Sequence, residues 1–192
     1  MKTLVIYAHP DTGGHCDCIM RAARDFLKAG NHDFEILDLY RMKYDPVLHE
    51  EEHYTRGNKK VSSQNLEIQN KIAGAQKLIF IYPVWWGSMP AMMKGFFDRV
   101  FTSGFAFRYE NKVPKGLLKG KEALVMMTSG ATGLLSAVFQ GSRPVNTVKN
   151  DILGFCGISS RVSFFGGSQV FTPEKEAQIK KRVSSELSSF LG

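Results

Sequence analysis

The sequence predicts an α/β protein, a parallel five-stranded sheet covered by helices on both faces in three layers. Three observations carry this. Short apolar runs rich in strand formers recur along the chain at Thr3 to Ala8, Leu78 to Tyr82, Ala123 to Met127 and Val162 to Phe165. Runs of this length suit strands buried on both faces of a parallel sheet. Helical apolar stripes fall between them, and such alternation implies right-handed crossovers into one sheet.

Taken in order, the first run is followed by a helix from Cys18 to Leu27, with Ile19, Ala22, Ala23, Phe26 and Leu27 on one stripe. Phe34 to Leu39 is mixed, carrying Glu35 and Asp38, and reads as an edge strand. Pro90 suits the first position of a helix whose Met93, Phe96, Phe97, Val100 and Phe101 recur at helical spacing. Val145 to Phe155 is a further helix candidate. At the end Thr172 caps, Pro173 starts, Glu174 suits the positive helix end, and Ile179, Val183, Leu187 and Phe190 face the core. Residues 41–65 and 103–120 are the long connections, which in a compact domain are functional or dimer-forming. Phe105, Phe107 and Tyr109 on the second would leave an apolar patch on a monomer, so a homodimer is expected. No repeat or linker divides the chain, and residues 1–192 are expected to form a single domain.

The chain has 192 residues, 43% hydrophobic and 22% charged, which fits a globular protein of ordinary size. Its net charge is +7, but Lys and Arg are scattered and the densest patches, Lys59-Lys60 and Lys180-Lys181-Arg182, are short. Solvated surface comes first as an explanation, an anionic cofactor second and nucleic acid third. The basic balance counts against an acidic electron carrier. No apolar run approaches the ~20 residues of a membrane span, and the first apolar stretch is too short for a signal-peptide core. A cytoplasmic location is expected. The odd cysteine count, Cys16, Cys18 and Cys156, argues against a disulfide framework and fits a reducing compartment.

In open α/β sheets ligands bind beyond the carboxyl ends of the strands. His9-Pro-Asp-Thr-Gly-Gly-His15-Cys16 follows the first strand and opens a helix, where small residues and backbone N–H groups favour an anion. The loop has neither a Walker pattern nor GxGxxG spacing, and an ordinary Gly-rich turn reads equally well. Pro83-Val-Trp-Trp-Gly-Ser-Met-Pro90 follows the third strand. Two tryptophans there suit a planar aromatic ligand, or else packing under a loop or in a dimer seam. Thr128-Ser-Gly-Ala-Thr-Gly133 follows the fourth, supplying hydroxyls and N–H groups suited to an electron-rich ring edge. A metal on His9, His15, Cys16 and Cys18 is the rival reading, but Cys16 and Cys18 are spaced i, i+2 at a helix start and do not share a face. A thiol at a helix N-terminus is instead expected to have a lowered pKa.

The chain resembles the NAD(P)H:quinone oxidoreductases related to mammalian DT-diaphorase and to bacterial modulator-of-drug-activity and potassium-efflux ancillary reductases. The resemblance rests on Asp38-Leu-Tyr-Arg-Met-Lys-Tyr-Asp-Pro46 and the long block from Tyr82 to Phe101. Gly104 to Phe107, Thr128-Ser-Gly130, Ala8-His9-Pro10 and Phe155-Cys-Gly157 add to it. It implies a flavodoxin-like fold with strand order 2-1-3-4-5, a bound flavin, FAD in preference to FMN, NAD(P)H as co-substrate and a quinone-type acceptor. It also implies hydride transfer in ping-pong order. By the resemblance His9 contacts the flavin's diphosphate end, and Gly14, His15, Cys16 and Cys18 supply first-loop backbone contacts. Pro83, Val84, Trp85, Trp86 and Gly87 line the ring edge, and Thr128, Ser129, Gly130 and Ala131 surround its N1–O2 side. Phe107 and Tyr109 cover the acceptor pocket from the partner subunit.

Some positions depart from the family. Cys16 stands where Asn is usual. The Tyr and His that follow the fourth strand in mammalian members are missing from Leu134 to Pro144, where Ser136 and Arg143 fall nearby. Arg143 can place a cation near the flavin instead. Tyr109, Arg143 and Gly130 are therefore the expected catalytic positions. The alternative function, from a different class, is a flavin-binding ancillary or regulatory subunit of a transport system with little turnover of its own.

Overall fold

The computed structural model describes residues 1–53, 60–130 and 142–192. Chain order runs β1 (Thr3–Tyr7), α1 (His15–Ala29), β2 (Phe34–Asp38), a 3-10 turn (Glu50–Glu52), α2 (Ser63–Gly74), β3 (Lys77–Pro83) and α3 (Ala91–Val100). It continues through β4 (Phe107–Glu110), β5 (Val113–Gly116), β6 (Glu122–Thr128), α4 (Arg143–Asn146) passing into a π-helical segment (Thr147–Gly154), β7 (Ser159–Phe165) and α5 (Pro173–Leu191).

Five strands form one parallel sheet in the order β2-β1-β3-β6-β7. Counted by sheet strands alone, this is the expected 2-1-3-4-5. Alternation along each strand divides the core in two, because successive side chains leave opposite faces. Leu4, Ile6, Leu78, Phe80 and Val125 pack with Met93, Phe96 and Val100 of α3 on one face. Val5, Ile79, Leu124 and Met126 pack with Ile19 and Leu27 of α1 and Val183 and Leu187 of α5 on the other. Each such side chain contributes roughly 1.5–3 kcal/mol on burial. Among the described residues no helix is long and apolar enough to cross a membrane.

The structure departs from the sequence reading in three places. α2 falls partly inside the expected 41–65 connection; its buried face is Asn65, Ile68, Gln69 and Ile72, half of it polar, so no apolar stripe marks it. Tyr44 donates its hydroxyl to Asn65 Oδ1 at 2.9 Å and Gln69 donates to the Val100 carbonyl at 2.9 Å, while the buried Asn65 Nδ2 has no partner among the described residues. The 103–120 connection carries an antiparallel hairpin, β4 paired with β5. Its two-residue turn, Asn111-Lys112, has both φ angles positive, as a hairpin turn matching strand twist requires. Finally, β7 lies at a sheet edge and is only partly buried, where the sequence reading expected burial on both faces.

The connection after β2 is tied to α3. Gly95 leaves room for the Pro46 backbone, because a Cβ at 95 would collide with the Pro46 carbonyl. One turn further on, Arg99 reaches back to Glu52 and Asp45.

Candidate functional site

The ends of β1, β3 and β6 are stitched into one rim. Ala8 donates its N–H to the Ile81 carbonyl at 3.0 Å, Val84 to Thr128 at 2.7 Å and Ser129 to Phe165 at 3.0 Å. The loops leaving these strands therefore start side by side at the sheet's carboxyl edge, where open α/β folds bind ligands.

After β1, His9 Nδ1 lies 3.0 Å from the Asp11 carbonyl oxygen and 3.2 Å from its amide nitrogen, which orients the ring. Gly13 turns through φ +104° and donates its N–H to Asp17 at 3.1 Å. Gly14 caps α1 with no side chain accepting from the first turn. Among the described residues the amides of Gly14, His15 and Cys16 make no hydrogen bond, which leaves them open at the positive helix end, ready for an anion. His15 is 8% exposed, and its buried Nε2 has no partner among the described residues. Phe171 meets its ring edge-on at 5.0 Å. Burial, helped by Lys175, pushes its pKa down and favours the neutral ring. A small cavity beside it, about 90 Å³, is lined by Lys175, Arg182, Ser168 and Phe165.

Two sequence expectations about the cysteines change here. Cys16 is buried with Sγ 3.5 Å from Thr128 Oγ1, and burial pushes its thiol up to about 12. The helix end does not lower it, because desolvation of the thiolate outweighs the dipole. Cys18 is fully buried, and its N–H is already donated to the Gly14 carbonyl at 2.9 Å, leaving it no backbone donor for a ligand. Its sulfur faces the Glu176 carbonyl, away from the Cys16 contact.

After β3, Trp85 and Ser88 exchange backbone hydrogen bonds at 2.9 and 3.0 Å. The enclosed Trp86 and Gly87 both have positive φ, +52° and +70°. Gly87 takes this freely; a tryptophan there costs roughly 1–2 kcal/mol. Trp86 is fully exposed and Trp85 is 41% exposed, its ring centroid 6.0 Å from that of His9. Neither indole packs beneath a loop among the described residues. The amides of Trp86 and Gly87 make no hydrogen bond among the described residues. Pro83 and Val84 are buried below the turn, with Pro83 in register with Thr128.

After β6, Thr128 and Ser129 are buried and Gly130 is exposed. Ser129 also accepts the Ser168 N–H at 2.9 Å, which ties this loop to the one after β7. Ala131 and Ser136 lie outside the described residues. Arg143 opens α4, exposed and joined by no hydrogen bond or ion pair to the rim among the described residues. Tyr109 sits on the hairpin, 62% exposed, edge-on to Phe107, which in turn packs on Phe155 at 5.0 Å. The hairpin's apolar patch is thus Tyr109 with Val113, while Phe105 and Phe107 are half-buried against the core.

Sequence reasoning named the β1, β3 and β6 loops but missed Lys175 and Arg182. They lie far along the chain and reach His15 only because α5 packs beside α1; a Pro-initiated helix after the last strand was the available signal.

Comparison with known proteins finds relatives of the same fold. A ribosyldihydronicotinamide dehydrogenase-like protein of Penicillium crustosum is 27% identical, over 100% of this chain and 78% of the relative. Ribosyldihydronicotinamide dehydrogenase [quinone] of Pongo abelii is 32% identical over 148 residues, 68% of this chain and 64% of that protein. An NAD(P)H:quinone oxidoreductase from Methanothermobacter marburgensis superposes with a TM-score of 0.83 at 27% identity, covering 96% of this chain and 94% of that one. A family model described as a flavodoxin-like fold matches residues 1–189, and the chain belongs to that family.

Proposed function

We propose that the chain binds a flavin along this rim and reduces quinone-type acceptors by two electrons at the expense of NAD(P)H. The observation that carries the reading is Trp86: a fully exposed indole in a left-handed backbone conformation, at the sheet's carboxyl edge. It stabilises no core, and local strain of this kind persists at ligand sites.

The residues present fit a flavin nucleotide. Trp85 and Trp86 offer an aromatic wall, and the amides of Trp86 and Gly87 are unspent among the described residues. Thr128, Ser129 and the exposed Gly130 amide suit the ring's N1–O2 edge, where fixed N–H dipoles meet developing negative charge. His9 and the amides of Gly14, His15 and Cys16 suit a phosphate. The unpartnered His15 Nε2 beside Lys175 and Arg182 suits a second phosphate, which supports FAD over FMN. When bound, a flavin supplies hydride chemistry, accepting from a dihydronicotinamide and donating to a quinone in alternate half-reactions. The quinone reductases among the relatives support this acceptor class.

The hairpin's Tyr109 and Val113 support a homodimer in which a second copy covers the acceptor side. Arg143, free of ion pairs among the described residues, is the cation available to the ring edge.

The test is an absorbance scan of protein loaded with FAD or FMN, followed by initial rates with NADH or NADPH against a simple benzoquinone. Near-stoichiometric flavin and parallel double-reciprocal plots are expected. Failure to hold either nucleotide would falsify the reading.

A further inference from the structure

A larger cavity, of about 410 Å³, opens over the carboxyl ends of β1 and β2, with Tyr7, His9, Asp17, Asp38, Tyr40 and Arg41 among its walls. Nothing in the flavin reading uses it beyond His9.

Its floor is an unsatisfied hydroxyl. Tyr7 is 2% exposed, and its phenol oxygen is buried without a partner among the described residues. Buried hydroxyls are almost always hydrogen-bonded, so a lone one lining a cavity marks a missing acceptor. Burial pushes its pKa well up, with Cys16, Asp17 and Asp38 adding to the rise, so the oxygen keeps its proton and stays a donor.

Its walls are carboxylates held in place. Asp17 accepts from the Gly13 N–H at 3.1 Å and from Arg21 Nε at 2.8 Å. Asp38 accepts from the Arg41 N–H at 3.1 Å, and Arg41 Nε lies 3.2 Å from its other oxygen. A carboxylate has about four acceptor positions, so each keeps capacity for further donors.

The occupant must therefore donate to carboxylates and accept from a phenol within one small space. Arg21 and Arg41 already balance the two carboxylates, so an anionic group finds no unpaired cation among these groups, and an apolar one leaves the Tyr7 hydroxyl without an acceptor. A pair of adjacent hydroxyls does both, since each donates and accepts. The place has a parallel in Rossmann-type units, whose GxGxxG loop this chain lacks: there the acid at the end of the second strand takes the ribose diol, with the phosphates on the neighbouring helix N-terminus. Asp38 ends β2, and α1 begins beside it.

The geometry points to a ribose subsite in which Tyr7, Asp17 and Asp38 hold the vicinal diol of a nucleotide. This deepens the reading above and rests on it only for the source of the ribose, which is the adenosine half of either FAD or the nicotinamide co-substrate.

Calorimetric titration with ADP and with 2′-deoxy-ADP tests it on the wild type, Tyr7→Phe and Asp38→Asn. On the wild type, 2′-deoxy-ADP should bind roughly tenfold more weakly than ADP, the scale of one buried hydrogen bond to a charged group. Both variants should lose ADP affinity by a similar factor, and Asp38→Asn should lose the discrimination. Melting of unliganded Tyr7→Phe separates a ligand contact from a structural role: it should stay level or rise, because the change removes an orphan hydroxyl. Weaker FAD but unchanged FMN binding in the variants assigns the diol to the flavin, whereas a raised KM for the reduced dinucleotide with unchanged FAD binding assigns it to the co-substrate. Equal affinity for ADP and 2′-deoxy-ADP, or ADP binding unmoved by both substitutions, overturns the subsite. ADP titration of flavin-free protein decides the subsite even if neither flavin binds, so the two readings fail separately.

Discussion

Trp85 and Ser88 exchange both backbone hydrogen bonds, at 2.9 and 3.0 Å, and so lock Trp86 at the tip of a turn with no side-chain burial of its own. Trp86→Ala should therefore leave apo-protein melting nearly unchanged, where a core tryptophan would cost roughly 3–5 kcal/mol. Flavin affinity should fall by about one to two decades, from lost stacking and lost contact area. Trp86→Gly should weaken flavin similarly while raising apo stability by about 1 kcal/mol, since glycine tolerates positive φ. Flavin dissociation and apo melting on the same variants check all three. A large loss of apo stability would return Trp86 to a structural role.

A second test concerns the tie between α3 and the 3-10 turn. Arg99 forks onto Glu52, Nε to Oε2 at 2.8 Å and Nη2 to Oε1 at 2.9 Å, with side-chain exposures of 6% and 8%. Arg99 also bonds the Asp45 carbonyl. Removing one partner leaves a buried charge, so Glu52→Ala should cost about 3 kcal/mol by denaturant unfolding. Replacing both by apolar residues of similar volume should recover most of that.

The same pair predicts a pH dependence. Burial would raise the Glu52 pKa, but hydrogen bonds from Arg99 and the His49 N–H outweigh it, and the net shift is downward. A carboxylate with a depressed folded pKa contributes stability above its unfolded value, near ~4.3, and loses it as pH falls through the folded value. Acid unfolding of Glu52→Gln should show a shallower slope below about pH 4.3 than the wild type. Identical slopes would mean that the pair is not formed in solution.

The thiols should be inert in the folded protein. Cys16, Cys18 and Cys156 are all buried, with burial pushing Cys16 to about 12 and Cys156 to about 11. Labelling with a chromogenic disulfide at pH 8 should proceed only as fast as the chain unfolds, then release three equivalents in denaturant. Prompt labelling of any one thiol would contradict its burial in the folded chain.

The hairpin is the place to test assembly. Tyr109 and Val113 stand 62% and 65% exposed on it. Light scattering at micromolar concentration should report a dimer, and Tyr109→Ser combined with Val113→Ser should shift it toward monomer. A wild-type monomer with flavin bound would rule out the second copy.

Sequence reading reached the elements whose chemistry is local. β1, β3 and β6 announced themselves as apolar runs because both faces are buried. α5 did so because Thr172, Pro173 and the Ile179–Phe190 stripe agree with one another. α2 stayed hidden because Asn65 and Gln69 fill half of its buried face. The hairpin stayed hidden because Lys112, at φ +66°, is a residue no turn rule selects. The rim loops were legible because a strand end must be followed by something, and two tryptophans between prolines are conspicuous. The Tyr7–Asp17–Asp38 cavity was not, since it joins a strand end, a helix turn and a second strand end that only the parallel register of β1 and β2 aligns.

The placement of both indoles at one rim has a spectroscopic consequence. The chain has two tryptophans, and they are Trp85 and Trp86. Selectively excited indole emission therefore originates entirely from the rim and none of it from the core. Because Trp86 is already bathed in water when the chain is folded, its emission maximum should move little on denaturation. Circular dichroism is then the signal for folding, and indole quenching becomes a dedicated reporter of what docks on the turn.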